Sequence, residues 1–396
     1  MRLYEHEAKV LAASKGFSIP EGVVCSTALE ALEAAKNIGA PVAIKSQIPA
    51  GGRGKAGGIL FADTPADAKK AAEKLIGSRI RDREVRQVLV EKKLDIAEEF
   101  YMGIVIYETA KCDAFLFGPG GVDVERIASE GRVEKVLIDP PAGLLGFQAK
   151  MAVERSGIGG RMLNTITRLA TLLYDIYTSF DATLLEVNPL VVTESGEVYA
   201  ADLRMDIDDD AGRRQSKVLA SFGIEPREDK GRPPTALEIE AEEIDKIDHR
   251  GVAGRLVEFD GDIGLIIGGG GASLTVMDAI YRYGGRPANY CEIGGNPTVK
   301  KIRLLTKAIL GKKGIRKIAV ITNVLSNTRV DLVARGVILG LMDRGIDPSR
   351  YPIVFRVPGS WEDDGFRILE KYGIKYFDRT HTMDEAARFI VELEVD

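Results

Sequence analysis

The sequence predicts an α/β chain of two domains, an α+β half followed by a doubly wound parallel sheet. Three observations carry this. Up to about residue 235, strand pairs alternate irregularly with helices. From about 262, each apolar run is followed by an amphipathic stretch of 10 to 18 residues. Between them lies the polar, Pro-bearing and then acidic segment "EPREDKGRPPTALEIEAEEIDKIDHRG". Strands alternating with helices imply right-handed crossovers and a parallel sheet. The expected division is 1–235, a linker with a helix over 236–261, and 262–396.

Taken in order, the first half opens on "MRLYEHEAKVLAASKGF", where Leu3, Val10 and Leu11 fall at helical spacing among acids. No continuous apolar core of a signal peptide is present there, so it reads as a structural helix. "VRQVLVEKKL" is a short strand, and "EEFYMGIVIYETAKCDAFLFGPGG" two strands about a polar turn. "MLNTITRLATLLYDIYTSF" is an amphipathic helix. "ATLLEVNPLVVTESGEVYAADLRM" is a hairpin turning at Glu194-Ser195-Gly196-Glu197. In the second half "DIGLIIGGGG", "RKIAVITNV", "YPIVFRVPG" and "IKYFDRT" are strands. "ASLTVMDAIYRYGG", "VKKIRLLTKAILGKKG", "TRVDLVARGVILGLMDRG", "SWEDDGFRILEKYG" and "TMDEAARFIVELE" are helices.

Composition removes several classes. At 45% hydrophobic and 29% charged the chain is of globular type, and a formal net charge of −5 argues against general nucleic-acid binding. No run approaches the roughly 18 apolar residues that span a bilayer. Cys25, Cys112 and Cys291 are far apart, with no zinc or disulfide spacing, so the expected setting is the cytoplasm. His6, His249 and His381 are isolated, and each reads as a surface or hydrogen-bonded histidine.

The informative stretch is "AIKSQIPAGGRGKAGGILF". It is not a P-loop, because Gly54-Lys55 is followed by Ala56. "GGGGAS" at 268–273 likewise fails the dinucleotide pattern at its last position. Five glycines around Arg53 and Lys55, just after Lys45, still suit an anion cradled by backbone N–H groups. A flexible hairpin tip with solvated cations is the alternative. Glu91 ends the strand "VLVE" where a chain can meet an adenine edge and its ribose, and Glu99 follows eight positions on. Folding the hairpin about Ser195 sets Asn188 of "LEVNPL" opposite Asp202 of "AADLR". Paired oxygen ligands on facing strands suit a hard cation such as Mg²⁺. Singly, Asn-Pro is also a common strand ending, and Asp202 a common solvated edge residue.

On these motifs the chain resembles the β subunit of succinyl-CoA synthetase, an ATP-grasp protein. The likeness runs through "LYEHEAKVLAASKGFSIPEG", "IKSQIPAGGRGKAGG", "VLVEKKLDIAEEFYMGIV", "GGVDVE", "LEVNPLVV" and the glycine loop near 268. The resemblance implies an N-terminal ATP-grasp fold followed by a flavodoxin-like domain. It implies an ADP-forming acid–CoA ligase that relays phosphate from ATP (or GTP) through a histidine to the acid. Lys45, Gly52, Arg53 and Gly54 would hold the phosphates, Glu91 and Glu99 would lie around the adenosine, and Asn188 and Asp202 would bind Mg²⁺. Glu186 would face the phosphorylated histidine. None of the three histidines sits in a glycine-rich loop, and the family's CoA-binding domain is absent. A partner α subunit is therefore implied, supplying phosphohistidine and CoA sites.

In the second domain the resemblance divides. The acid would lie at strand ends facing helix N-termini, by Gly269, Gly270, Asn327, Thr328 and Arg356. Gly268 stands where the succinate pattern has Asn, and "VLSNTRVD" replaces its "FGGI" turn. "GGGAS", "ANYCEIGGNP", "AEEFY" and "FDRTHTM" instead resemble ATP-citrate lyase, although Val357 follows Arg356 where a second arginine is expected. Thr328 also reads as a cap of the helix near Arg329, and Trp361 as pocket-lining or packing. Two other functions compete: an ATP-grasp ligase joining a carboxylate to an amine within one chain, and a nucleotide- or carboxylate-sensing regulatory module without turnover. A dehydrogenase is disfavoured by both glycine loops.

Overall fold

The computed structural model describes residues 1–121, 131–225, 227, 232, 234–251 and 255–394. Val122–Glu125 of the "GGVDVE" motif lie outside the described residues. The chain forms two compact units, Met1–Asp229 and Lys230–Asp396.

The first unit holds two large antiparallel sheets and a short antiparallel pair, Arg79–Ile80 with Arg83–Glu84. After helix α1 (Glu5–Ser14) come β1 (Gly22–Cys25), α2 (Ala28–Ile38), β2 (Val42–Ser46), β3 (Ile59–Ala62), α3 (Pro65–Leu75) and β4 (Val88–Lys92). The four strands pair in the order β1-β4-β2-β3. Both helices start at threonine caps, Thr27 Oγ1 and Thr64 Oγ1 accepting the N–H of Glu30 and Asp67 at 3.2 Å. Each such cap satisfies an otherwise orphaned amide. Ala31, Ala34 and Ala35 of α2 and Ala68, Ala71 and Ala72 of α3 close this core over Val42, Ile44, Val88 and Val90.

The second sheet is built from β5 (Ile96–Tyr107), β6 (Cys112–Pro119), β7 (Glu134–Ile138), β8 (Ala182–Thr193), β9 (Val198–Ala200) and β10 (Leu203–Ile207). Its order is β9-β8-β5-β6-β7, with β10 also on β8. Helices α4 (Gly146–Arg155) and α5 (Gly160–Ser179) carry Ala149, Val153, Ile166, Leu173 and Ile176 into its core. In α1 the buried face runs through Ala8, Leu11 and Ala12. Val10, expected on that face, is 42% exposed, because Glu5 and Lys9 take the inward positions instead.

Helix α6 (Gly212–Ser221) is the last element described in this unit. The stretch 236–261, expected as linker and helix, does hold a helix. Its α7 (Ala236–Asp245) and β11 (Leu256–Glu258) belong to the second unit, where Leu237, Ala241, Ile244 and Leu256 are buried in the core. Arg232 and the amide of Glu258 both bond the Glu238 carboxylate, at 2.6 and 2.9 Å, tying that segment together.

Beyond it the predicted alternation appears: β12 (Ile263–Gly268), α8 (Gly271–Arg282), β13 (Asn289–Cys291), α9 (Val299–Gly311), β14 (Lys317–Thr322), β15 (Leu325–Arg329), α10 (Val330–Asp343), β16 (Ile353–Arg356), β17 (Gly359–Ser360), α11 (Glu362–Lys371), β18 (Lys375–Tyr376) and α12 (Met383–Glu392). Strands β12, β14, β16 and β18 form the parallel sheet in that order. Parallel bridges Ile263–Pro287 and Ile267–Glu292 set the β13 segment on the far side of β12. The spatial order is thus 2-1-3-4-5, flavodoxin-like, with its topological switch between β12 and β14. Short β15 and β17 pair separately in parallel.

Helices α9 and α10 pack closely because Gly336 has no side chain: a Cβ there would stand 2.5 Å from Ile302 Cβ. Gly336→Ala is expected to cost about 1–3 kcal/mol, the usual overpacking penalty. Denaturant unfolding of the second unit measures it, and an unchanged midpoint would contradict this packing. No helix among the described residues is long and apolar enough to cross a membrane.

Candidate functional site

Lys45 is next to last in the fully buried strand β2, and the glycine turn begins beyond residues 47–50. The turn is closed by its own backbone: Gly58 N–H donates to Arg53 O at 2.8 Å, and Ser46 N–H to Gly58 O at 2.8 Å. Gly52 has φ of 68°, and a Cβ on it would stand 2.7 Å from the Arg81 guanidinium, so only glycine fits there without displacing that arginine. Gly52 and Gly54 lie exposed on the outside of the turn, whereas Arg53 folds inward and is 6% exposed. The structure therefore replaces the picture of two solvated loop cations with one buried arginine and one exposed lysine.

What Arg53 and Lys45 meet inside is a cluster of charges from three elements. Lys45 Nζ lies 3.0 Å from Glu5 Oε1 and 2.7 Å from Glu91 Oε2, and donates to Ala201 O at 2.6 Å. Arg53 Nη2 meets Glu5 Oε2 at 2.7 Å and Asp202 Oδ1 at 2.8 Å, while Nη1 donates to Ser46 O at 2.9 Å. Lys9 Nζ joins Glu5 at 2.8 Å and Glu91 at 2.5 Å. Burial alone would push the Lys45 and Arg53 pKa values down. The carboxylates outweigh it, Glu5 and Glu91 for Lys45 and Asp202 and Glu5 for Arg53, and both cations are held above their ordinary range. Burial would likewise raise Glu5, but Arg53, Lys45 and Lys9 hold it well below the usual carboxylate range.

Four of the sequence-derived residues, Lys45, Arg53, Glu91 and Asp202, are thus brought together. The carboxylate of Glu91 is 2% exposed and spent on two lysines, so the side chain does not face outward from its strand. Glu5 and Lys9 went unread in the sequence. Their only signal was an acid and a base four apart on an otherwise apolar helix face.

Asn188 and Asp202 do face each other, with Asn188 N–H donating to Asp202 O at 3.1 Å beside the pair Val187–Leu203. The Asn188 side chain brackets Gly121, accepting its N–H at 2.9 Å and donating to its carbonyl at 3.2 Å. Glu99, exposed on β5, accepts Gly120 N–H through its carbonyl at 3.0 Å, which places it by the same turn. Glu186 lies across from Arg204 on β10. Its carboxylate accepts Tyr101 OH at 2.9 Å and stands 3.5 Å from Arg204 Nη1. Asp202, 31% exposed, and Asn188 carry carboxylate and amide oxygens, the donor types a hard divalent cation takes, with Asp202 Oδ1 on Arg53 and Asn188 Oδ1 on Gly121 N–H in this structure.

In the second unit, Gly269 and Gly270 link the end of β12 to α8, beside the switch point of the sheet. The Gly270 N–H is already taken by Glu292 Oε1 at 2.6 Å, and Tyr290 OH reaches the other carboxylate oxygen at 3.2 Å. Arg356 is 6% exposed and bonds backbone carbonyls, Thr322 O at 2.5 Å and His381 O at 3.0 and 2.9 Å. Burial holds its pKa below the ordinary arginine value. Asn327 and Thr328 lie on β15. Thr328 does not cap α10; its hydroxyl accepts the Asn296 N–H at 3.2 Å, and the α10 cap position is Arg329. Trp361 is 56% exposed and does not pack inward, and the Arg329 guanidinium lies 4.0 Å over its ring.

Fold and site define an ATP-grasp protein carrying a flavodoxin-like second domain. Residues 2–192 match the family described as an ATP-grasp domain, and residues 235–373 that described as ATP citrate lyase citrate-binding. The chain is 34% identical over 402 residues to the β subunit of ADP-forming succinate–CoA ligase from Rubrobacter xylanophilus, covering 100% of this chain and 99% of that one. It is 36% identical over 397 residues to the β subunit of GDP-forming succinate–CoA ligase from Thermus thermophilus, covering 99% of each. The fold is shared with ATP citrate lyase of Methanosaeta concilii, solved with (3S)-citryl-CoA, at a TM-score of 0.71 over 99% of both chains and 19% identity. The chain belongs to the succinate–CoA ligase β-subunit family.

Proposed function

We propose that this chain is the nucleotide-binding subunit of an ADP-forming acid–CoA ligase of the succinate type, in which ATP, acid and CoA yield acyl-CoA, ADP and phosphate. The observation that carries the reading is the meeting of Lys45, Arg53 and Asp202 beside an exposed glycine turn, in a chain colinear with such subunits. Lys45, Gly52, Arg53 and Gly54 hold the phosphates, the turn supplying N–H donors. Glu91 and Glu99 border the nucleoside. Asn188 and Asp202 hold Mg²⁺, which supplies charge neutralisation at the transferring phosphoryl group. Glu186, oriented by Tyr101, faces the imidazole that receives the phosphoryl group.

That imidazole and most of the CoA site belong to a partner α subunit. His6 is engaged with Gln47 at 2.9 Å and His381 with Asp378 at 2.9 Å, and neither sits on a glycine turn. The complex is cytoplasmic in this reading. Its nucleotide is ATP or GTP, since relatives of both kinds are similar to this chain.

The acid lies at the switch-point crevice by Gly269, Gly270, Asn327 and Thr328, where open α/β sheets bind ligands. Succinate is the first substrate proposed. Citrate is the second, favoured by the match of residues 235–373 to the citrate-binding family and by Gly268 in place of asparagine.

The test is co-expression with the α-like partner, purification of the complex, and a screen of acids for CoA-dependent release of ADP. Succinate is expected to be active and the isolated chain inactive. Citrate active with succinate inert would move the chain to the second substrate. Full activity of the isolated chain, or nucleotide binding without turnover on any acid, would replace the ligase reading with an amine ligase or a sensor.

A further inference from the structure

The cations around Lys45 are held by the cluster's own carboxylates. Of its three N–H groups, Lys45 donates to Glu5 and Ala201 O, and its ammonium lies 2.7 Å from Glu91 Oε2. Arg53 Nη2 is likewise committed to Glu5 and Asp202. Lys9, Lys45 and Arg53 balance Glu5, Glu91 and Asp202, so the cluster is neutral and its interior sealed. The side chains of Glu5, Lys9 and Glu91 are 1%, 2% and 3% exposed. A triphosphate reaching Lys45 and Arg53 therefore meets cations that carboxylates already hold. Glu5 touches all three cations of the cluster, and Glu91 only the two lysines.

We propose that Glu5 is a built-in competitor of the nucleotide phosphates, a positioning residue that holds Lys45 and Arg53 in place and yields them when phosphate arrives, with Lys9 as its reserve cation. The inference rests on the reading of this unit as a nucleotide site. Lys9 stands one helical turn along α1, 2.8 Å from Glu5, and keeps that contact whichever anion the other two cations bind. Exchange therefore never leaves the buried carboxylate alone, which would cost far more than the exchange itself. The device sets two quantities together: phosphate affinity is lowered, and ADP leaves more readily because Glu5 returns to the vacated cations.

The signs of two substitutions test this. Glu5→Gln keeps the shape and removes the competitor, so the full chain titrated calorimetrically with Mg·ADP is expected to bind about tenfold tighter, the low end for a hydrogen bond between charged groups. In the assembled enzyme KM for the nucleotide falls and kcat falls with it. Lys9→Met leaves Glu5 only Lys45 and Arg53 to bind, so Mg·ADP is expected to bind about tenfold weaker, by the same reasoning. The double variant restores neutrality and returns affinity toward the parent. A purely structural role predicts weaker binding from both single variants. Weaker or unchanged binding by folded Glu5→Gln overturns the inference and leaves the nucleotide reading standing. No Mg·ADP binding by the parent chain overturns the nucleotide reading itself. Should Glu5→Gln fail to fold, Lys9→Met decides alone, and unchanged or tighter binding by it rejects the proposal.

Discussion

Asp202→Asn is expected to lower phosphorylation of the partner subunit by roughly 10³-fold, several kcal/mol of lost charge stabilisation at about 1.4 kcal/mol per decade. The substitution keeps the shape of the side chain and its place at the end of the hairpin, where Asp202 O accepts Asn188 N–H at 3.1 Å. It removes the carboxylate that, with the Asn188 amide, forms the oxygen pair suited to Mg²⁺. The fold should survive. Arg53 keeps Glu5 at 2.7 Å and Ser46 O at 2.9 Å, and Asp202 is 31% exposed, so its ion pair contributes only about 1 kcal/mol or less. Transfer of label from the nucleotide γ-phosphate to the partner's histidine, followed against Mg²⁺ concentration, measures the effect. A sensor that binds without Mg²⁺ would be indifferent to the change.

Lys45→Met acts on stability as well as on binding. The lysine has 9% of its side chain exposed and sits between Glu5 and Glu91, whose carboxylates then share Lys9 and Arg53. Removing one member of a buried ion cluster leaves charge uncompensated, at a cost of about 3–5 kcal/mol. Denaturant unfolding of the first unit should therefore shift to lower midpoint, and titration with Mg·ATP should show binding lost. The rescue is diagnostic: Glu5→Gln combined with Lys45→Met restores neutrality, so much of the stability returns while binding does not. If Lys45→Met alone were as stable as the parent, the cluster would be worth far less than its geometry implies.

Much of the architecture was legible because it follows local periodicity. The alternation beyond residue 262 appears as β12, β14, β16 and β18 with intervening helices, and a parallel sheet is the arrangement such connections allow. The hairpin about Ser195 was legible for a related reason. Its turn chemistry and period of two fix the register, so Asn188 had to meet Asp202. In 236–261, expected as a linker with a helix, Leu237, Ala241, Ile244 and Leu256 bury α7 and β11.

Partnerships distant in the chain were not legible at all. Arg53 and Lys45 looked like cations awaiting phosphate, and nothing local indicates that α1 supplies their counter-ion or that Gly270 donates to Glu292. Arg356 likewise looked like a free carboxylate ligand, yet its donors reach Thr322 O and His381 O.

The sequence by itself determined the elements, the order of the two domains, and the residue types a phosphate and a hard cation require, since those depend on spacing along one segment. The tertiary structure alone decided which charges neutralise which. Electrostatic pairing in a low-dielectric interior depends on distances of about 3 Å between groups from different elements, and chain order carries no record of those distances.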